Sequence, residues 1–180
     1  MSSPTPSVPE GLPVLARGRH LDPRDGSCLM EYVSVLAGER FSDRPRCTPP
    51  SLRWLAQRVN DAVSDPARTE LVLRAPLLTR ACPIDPTPVV LGVVARAGLA
   101  AGPEDRRLLA ARRLGERSVL SWYRPGVRTR LLGAFLELRS RLGPLPVAEQ
   151  DRSLLAVLDE VLDTVHPVGA VLLAARPGAR

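Results

Sequence analysis

The chain has 180 residues, of which 44% are apolar, 24% charged and only 3% aromatic, enough for one domain with a core of leucine, valine and alanine. Its formal net charge is +6 and every basic residue is arginine, with no lysine at all, a skew that a GC-rich codon supply produces without any selection for nucleic-acid binding. No apolar run is long enough to span a bilayer and no export signal is visible, and the three widely spaced cysteines point to free thiols in a reducing, cytoplasmic setting.

Residues 1–13 are rich in proline and serine and read as a disordered tail. "LDPRDGS" supplies turn residues before an apolar helix predicted over Ser27 to Ala37, which Gly38 would stop. The second helix starts from Thr48 as cap with Pro49 or Pro50 in its first turn, and carries Leu52, Leu55, Ala56, Val59 and Val63 at helical spacing. Asp65-Pro66 repeats the cap-then-proline signal for a third helix, which Pro76 should end or kink. Thr87-Pro88 opens a fourth, very apolar helix that Gly98 and Gly102 weaken.

Glu104 and Asp105 sit where acids complement the dipole at the start of a fifth helix. "YRPG" breaks the chain before a sixth helix marked by Val127, Leu131, Phe135, Leu138 and Leu142, and "GPLP" precedes a seventh with Leu154, Leu155, Leu158, Val161, Leu162 and Val165 on one side. "HPVGAVLLAA" adds a short apolar end. No period-two alternation with hairpin turns occurs, so the expected fold is an all-α globule of about seven short helices. It is expected to form a single helical domain over 14–180, divisible, if at all, near 84–87 or 143–147.

Glu31 interrupts the first helix. Apolar side chains cover nearly every other direction, so this carboxyl is expected to be shielded and to need a partner. The loop that follows, "ERFSDRPRCTPP", offers amides and the guanidinium groups of Arg40, Arg44 and Arg46. The reading is a structural clasp in which Glu31, Ser34, Asp43 and Cys47 lock helix, loop and second helix together.

From Cys28 to Pro50 the pattern C-L-M-E-Y-x-S-x-L-A-G-E-x-F-S-D-x-P-x-C-T-x-P resembles one in uncharacterised proteins of actinobacteria and their phages. The resemblance covers roughly residues 12–80 and implies no activity. The position of Arg44 is often histidine in that family, so this chain departs from it where a metal ligand would sit.

A metal site, if present, would draw on Cys28, Glu31, Asp43 and Cys47, yet no closely spaced ligand pair such as C-x₂-C occurs. A catalytic thiol at Cys47 would need His20 or His166 as its base. No phosphate loop, nucleophile elbow or zinc-protease motif is present, and Asp159, Glu160 and Asp163 read as a solvated helix face. No catalytic residue and no cofactor is expected.

The positive charge is concentrated. Residues 103–142 hold ten arginines against four acids, while the rest of the chain is nearly balanced. Arg106, Arg113 and Arg117 share a face of the fifth helix, with Leu108, Ala111 and Leu114 turned away. Arg112, Trp122, Arg128 and Arg130 complete a candidate phosphate-binding segment. The same arginines could instead be ordinary solvated surface, or pair with the acidic seventh helix. The expectation is a non-enzymatic helical binding module whose partner is protein or nucleic acid, with oligomerisation where an apolar surface is left open. The alternative is a metal- or thiol-dependent enzyme at Cys28, Glu31, Asp43 and Cys47.

Overall fold

The computed structural model describes residues 13–100, 102, 104–117 and 120–167; the predicted N-terminal tail and the apolar stretch from Val168 lie outside them, apart from Pro13. The described residues are all-α. Helix α1 spans Leu29–Leu36, α2 Pro50–Ala62, α3 Asp65–Glu70, α4 Ala75–Leu78, α5 Thr87–Ala100, α6 Arg106–Gly115, α7 Val127–Leu142 and α8 Val147–Val165.

The predicted third helix runs through α3 and α4, joined by a 3-10 turn over Leu71–Arg74. Pro76 has no N–H to give to the Val72 carbonyl four residues earlier, and the Ala75 amide bonds that carbonyl instead, tightening the turn. This segment and the other six helices make the seven helical stretches expected.

Several ends differ from the prediction. Helix α1 is shorter than Ser27–Ala37, because Cys28 is its N-cap: the thiol accepts from the Glu31 amide while the Glu31 carboxyl accepts from the Cys28 amide. Gly38 takes φ 70°, as a helix stop requires. Helix α2 is preceded by Pro49 rather than capped by Thr48, whose hydroxyl donates to the Leu78 carbonyl at 2.8 Å and ties α4 to the start of α2. Ser64, not Asp65, occupies the N-cap of α3.

Buried apolar side chains from Leu15 to Val165 form one contiguous core. Leu29, Leu52, Leu55, Leu91, Leu131 and Leu158 are among its fully enclosed members, each stabilising by about 1.5–3 kcal/mol through area removed from water. The apolar α5 is covered by this chain itself, packing against α2, α6, α7 and α8. Its near-continuous burial, from Val90 through Ala95, explains why the sequence there is apolar all round. In front of α1, a parallel bridge between Leu15 and Ser27 folds the segment from Pro13 back along the helix start.

Candidate functional site

The clasp region is assembled from side-chain to backbone bonds, but with a different division of labour from the one expected. Glu31 is fully buried and its oxygens do not face the following loop. One oxygen accepts from the His20 amide at 2.8 Å, and the other accepts from the Cys28 amide at 2.7 Å and lies 3.1 Å from His20 Nδ1. Glu31 therefore ties α1 to the segment before it. The preceding loop wins because helix side chains lean toward the N-terminus, where both Cys28 and His20 present amides.

Asn60, the chain's single asparagine, completes that junction from α2. Its Oδ1 accepts from the Leu29 amide at 3.1 Å and its amide nitrogen donates to the Ala16 carbonyl at 3.0 Å. A polar residue beside Val59 on the apolar side of an amphipathic helix was the available signal. Arg68 is likewise buried, donating to the carbonyls of Asn60 and Val63 at the end of α2 and pairing with Asp65.

The loop after α1 is held by other residues of the quoted pattern. The Ser34 hydroxyl donates to the Glu31 carbonyl at 2.7 Å and accepts from the Ser42 amide at 3.1 Å. Glu39 accepts from the amides of Arg46 and Cys47 at 2.8 and 3.1 Å, and the Arg46 amide is the main cause that holds its carboxyl below the usual range. Asp43 contributes its carbonyl, to Gln57, and its carboxylate lies 3.8 Å from Arg19.

Burial disfavours the thiolate at each cysteine. Burial pushes Cys28 up to about 12, against the helping amide of Glu31 and with the Glu31 carboxyl adding to the rise. Burial also raises Cys47 and Cys82. Cys82 lies 3.8 Å from His166 Nε2, an approach that no local pattern announces across 84 residues, but burial and nearby Arg80 lower the imidazole's pKa, so neither group favours its charged form. Among the described residues, no three His, Cys, Asp or Glu side chains are grouped as a metal site needs, and Cys47 belongs to the loop held by Glu39 rather than to the Glu31 junction.

The arginine segment presents a different picture. Asp105 caps α6 through the Arg107 and Leu108 amides, Leu108, Ala111 and Leu114 are buried, and Arg106 and Arg113 on α6 are exposed, as is Arg117 just beyond its end, where it lines a cleft with Gly92 and Arg96 of α5. Of the ten arginines in 103–142, only two have a carboxylate within ion-pair distance among the described residues. Arg141 bridges Asp105 and Glu137; Arg112 has Glu116 at 3.4 Å from its Nε, without hydrogen-bond geometry. Two acids of α8 are engaged elsewhere, Asp159 by Arg74 and Glu160 by Arg96, and none pairs with an arginine of 103–142 among the described residues. Internal pairing with α8 therefore does not account for the segment.

Trp122 is half-buried, its ring 6.4 Å from Trp54, which in turn meets Phe135 edge-on. The freely presented aromatic is its neighbour Tyr123, 79% exposed. Arg128 and Arg130 are exposed at the start of α7. No helix among the described residues is long and apolar enough to cross a membrane. Comparison with known proteins finds no matching family model, no matching curated protein and no matching solved structure.

Proposed function

We propose that the protein is a non-enzymatic helical binding module that engages nucleic acid through the guanidinium groups of α6, the α6–α7 connection and the start of α7. One observation carries this reading: eight of the ten arginines in 103–142 have no carboxylate partner among the described residues, and the α8 acids that do pair with arginine, Asp159 and Glu160, take theirs from other elements. Guanidinium forks left without counter-charge on one stretch suit phosphate oxygens, which they contact bidentately. Exposed Tyr123 beside them adds a flat ring on which a base can stack.

Binding of a fluorescent oligonucleotide, followed by anisotropy across a salt series, tests the proposal. Affinity should fall steeply as salt rises, and joint reversal of Arg106, Arg113 and Arg117 to glutamate should weaken it by about tenfold or more while flattening the salt slope by about 2. Binding that ignores both salt and the triple reversal would remove the reading.

A further inference from the structure

The α1–α2 loop holds more than a structural tie. Its backbone is fixed at successive positions: Ser34 binds the Ser42 amide, Ser42 the Arg44 amide, Glu39 the Arg46 and Cys47 amides, Gln57 the Asp43 carbonyl and Arg53 the Pro45 carbonyl. A loop so fixed has lost its conformational entropy in advance. Yet the side chains of Arg40, Arg44 and Arg46 take no part in the pinning, and these residues line a cleft of about 600 Å³ together with Glu39, Phe41 and Ser42. None of the three has a carboxylate within ion-pair distance among the described residues. The cleft's single acid, Glu39, spends both oxygens on amides, and its one negative charge, which Arg46 helps to stabilise, offsets only part of the three positive ones.

Holding like charges together on a rigid loop costs energy that an anion would relieve. Burial lowers the Arg53 pKa first and Arg44 adds to the fall, with Tyr123 and Asp43 opposing it. Arg53, on α2, reaches the loop by donating to the Pro45 carbonyl at 3.2 Å. Trp54 beside it meets Trp122, with the Arg58 guanidinium 5.7 Å from the Trp54 ring centre.

We propose that the cleft of Arg40, Arg44 and Arg46 is a preformed phosphate site, and that it takes a backbone phosphate of the same single strand that binds α6–α7, with a base of that strand on Tyr123. This rests on the nucleic-acid reading above and extends it: the quoted Cys28–Pro50 pattern supplies the residues that rigidify the loop, and the rigid loop presents the arginines. An extended single strand suits this arrangement because its bases are free to meet a lone exposed ring, whereas those of a duplex are stacked.

The full chain is titrated with labelled single-stranded oligonucleotides of about 6 and about 20 nucleotides, with a duplex of the longer sequence and with inorganic phosphate alone. The loop variant R40E/R44E/R46E should lose about tenfold or more on the long strand and flatten its salt slope by about 2, with a smaller loss on the short one. The charge-preserving R40K/R44K/R46K should keep the slope, which separates lost phosphate contacts from a damaged loop. Tyr123→Ala should weaken the single strand and leave the duplex unchanged. If the loop variant binds the long strand like the parent while the α6 reversal loses binding, this inference falls and the function reading stands. If the parent binds no oligonucleotide, both fall, and saturable binding of inorganic phosphate in that case reassigns the cleft to a small anion.

Discussion

Glu31 shows how far a single residue can be read and where the reading stops. Its enclosure followed from the apolar side chains around it on α1, and its need for donors followed from its enclosure. The identity of the donors did not follow, because three arginines and a run of amides on one side outweighed, on paper, one histidine eleven residues earlier. The chain's return past His20 depends on the bridge between Leu15 and Ser27, which no local pattern announces. The bonds make a graded prediction. Glu31→Gln presents an amide N–H₂ to groups that are themselves donors, and should cost about 2–3 kcal/mol in urea denaturation. His20→Ala keeps the backbone amide and loses only the ring contact, so its cost should be about 1 kcal/mol. Equal midpoints for Glu31→Gln and the parent protein would show that the carboxyl does not hold the N-terminal segment to α1.

Elements were the most legible level, because periodicity and capping act locally. The α7 bounds coincide with the outermost residues of its predicted apolar stripe, Val127 and Leu142, and Asp105 acts at α6 as its position before the arginines suggested. What a single helix cannot reveal is how closely it approaches another. The crossing of α5 and α6 is set by Gly92 and Gly115: a β-carbon built on Gly115 would fall 2.6 Å from the Gly92 nitrogen and 2.9 Å from the Pro88 carbonyl oxygen. Both obstacles are backbone, so Gly115→Ala must push the helices apart and should destabilise by about 2–3 kcal/mol, at the upper end of overpacking costs. Gly133, exposed in the middle of α7 with nothing within 4 Å of its would-be β-carbon, supplies the control. Gly133→Ala should stabilise by about 0.5–1 kcal/mol through helix propensity alone. Thermal midpoints that move in the same direction for both variants would refute the close-crossing account.

At the scale of the whole molecule, the question is whether the segments before and after the proline-bearing connections near 84–87 and 143–147 stand or fall together. Helix α8, beyond the second connection, packs on α2 and α5 and makes polar contacts to the start of α3 and to the 3-10 turn. The carboxylate of Asp151 accepts from the Ser64 amide at 2.9 Å and from its hydroxyl at 2.5 Å, so the N-cap residue of α3 is held by a side chain 87 residues away. Arg74 and Asp159 add a two-bond pair between the 3-10 turn and the same helix. Nothing in one sequence couples positions so distant, since Asp151 read in isolation is an ordinary acid on a helix. The coupling has a measurable consequence. Asp151→Ala leaves the Ser64 amide without its partner and should lower global stability by about 1–3 kcal/mol. Because α3 and α8 share one core, the loss should appear as a shift of a single transition, seen alike in far-ultraviolet circular dichroism and in the fluorescence of Trp54 and Trp122. Separate transitions, with the tryptophan signal unmoved by Asp151→Ala, would mean that α8 and the N-terminal half fold as independent units and that the contiguous core does not act cooperatively.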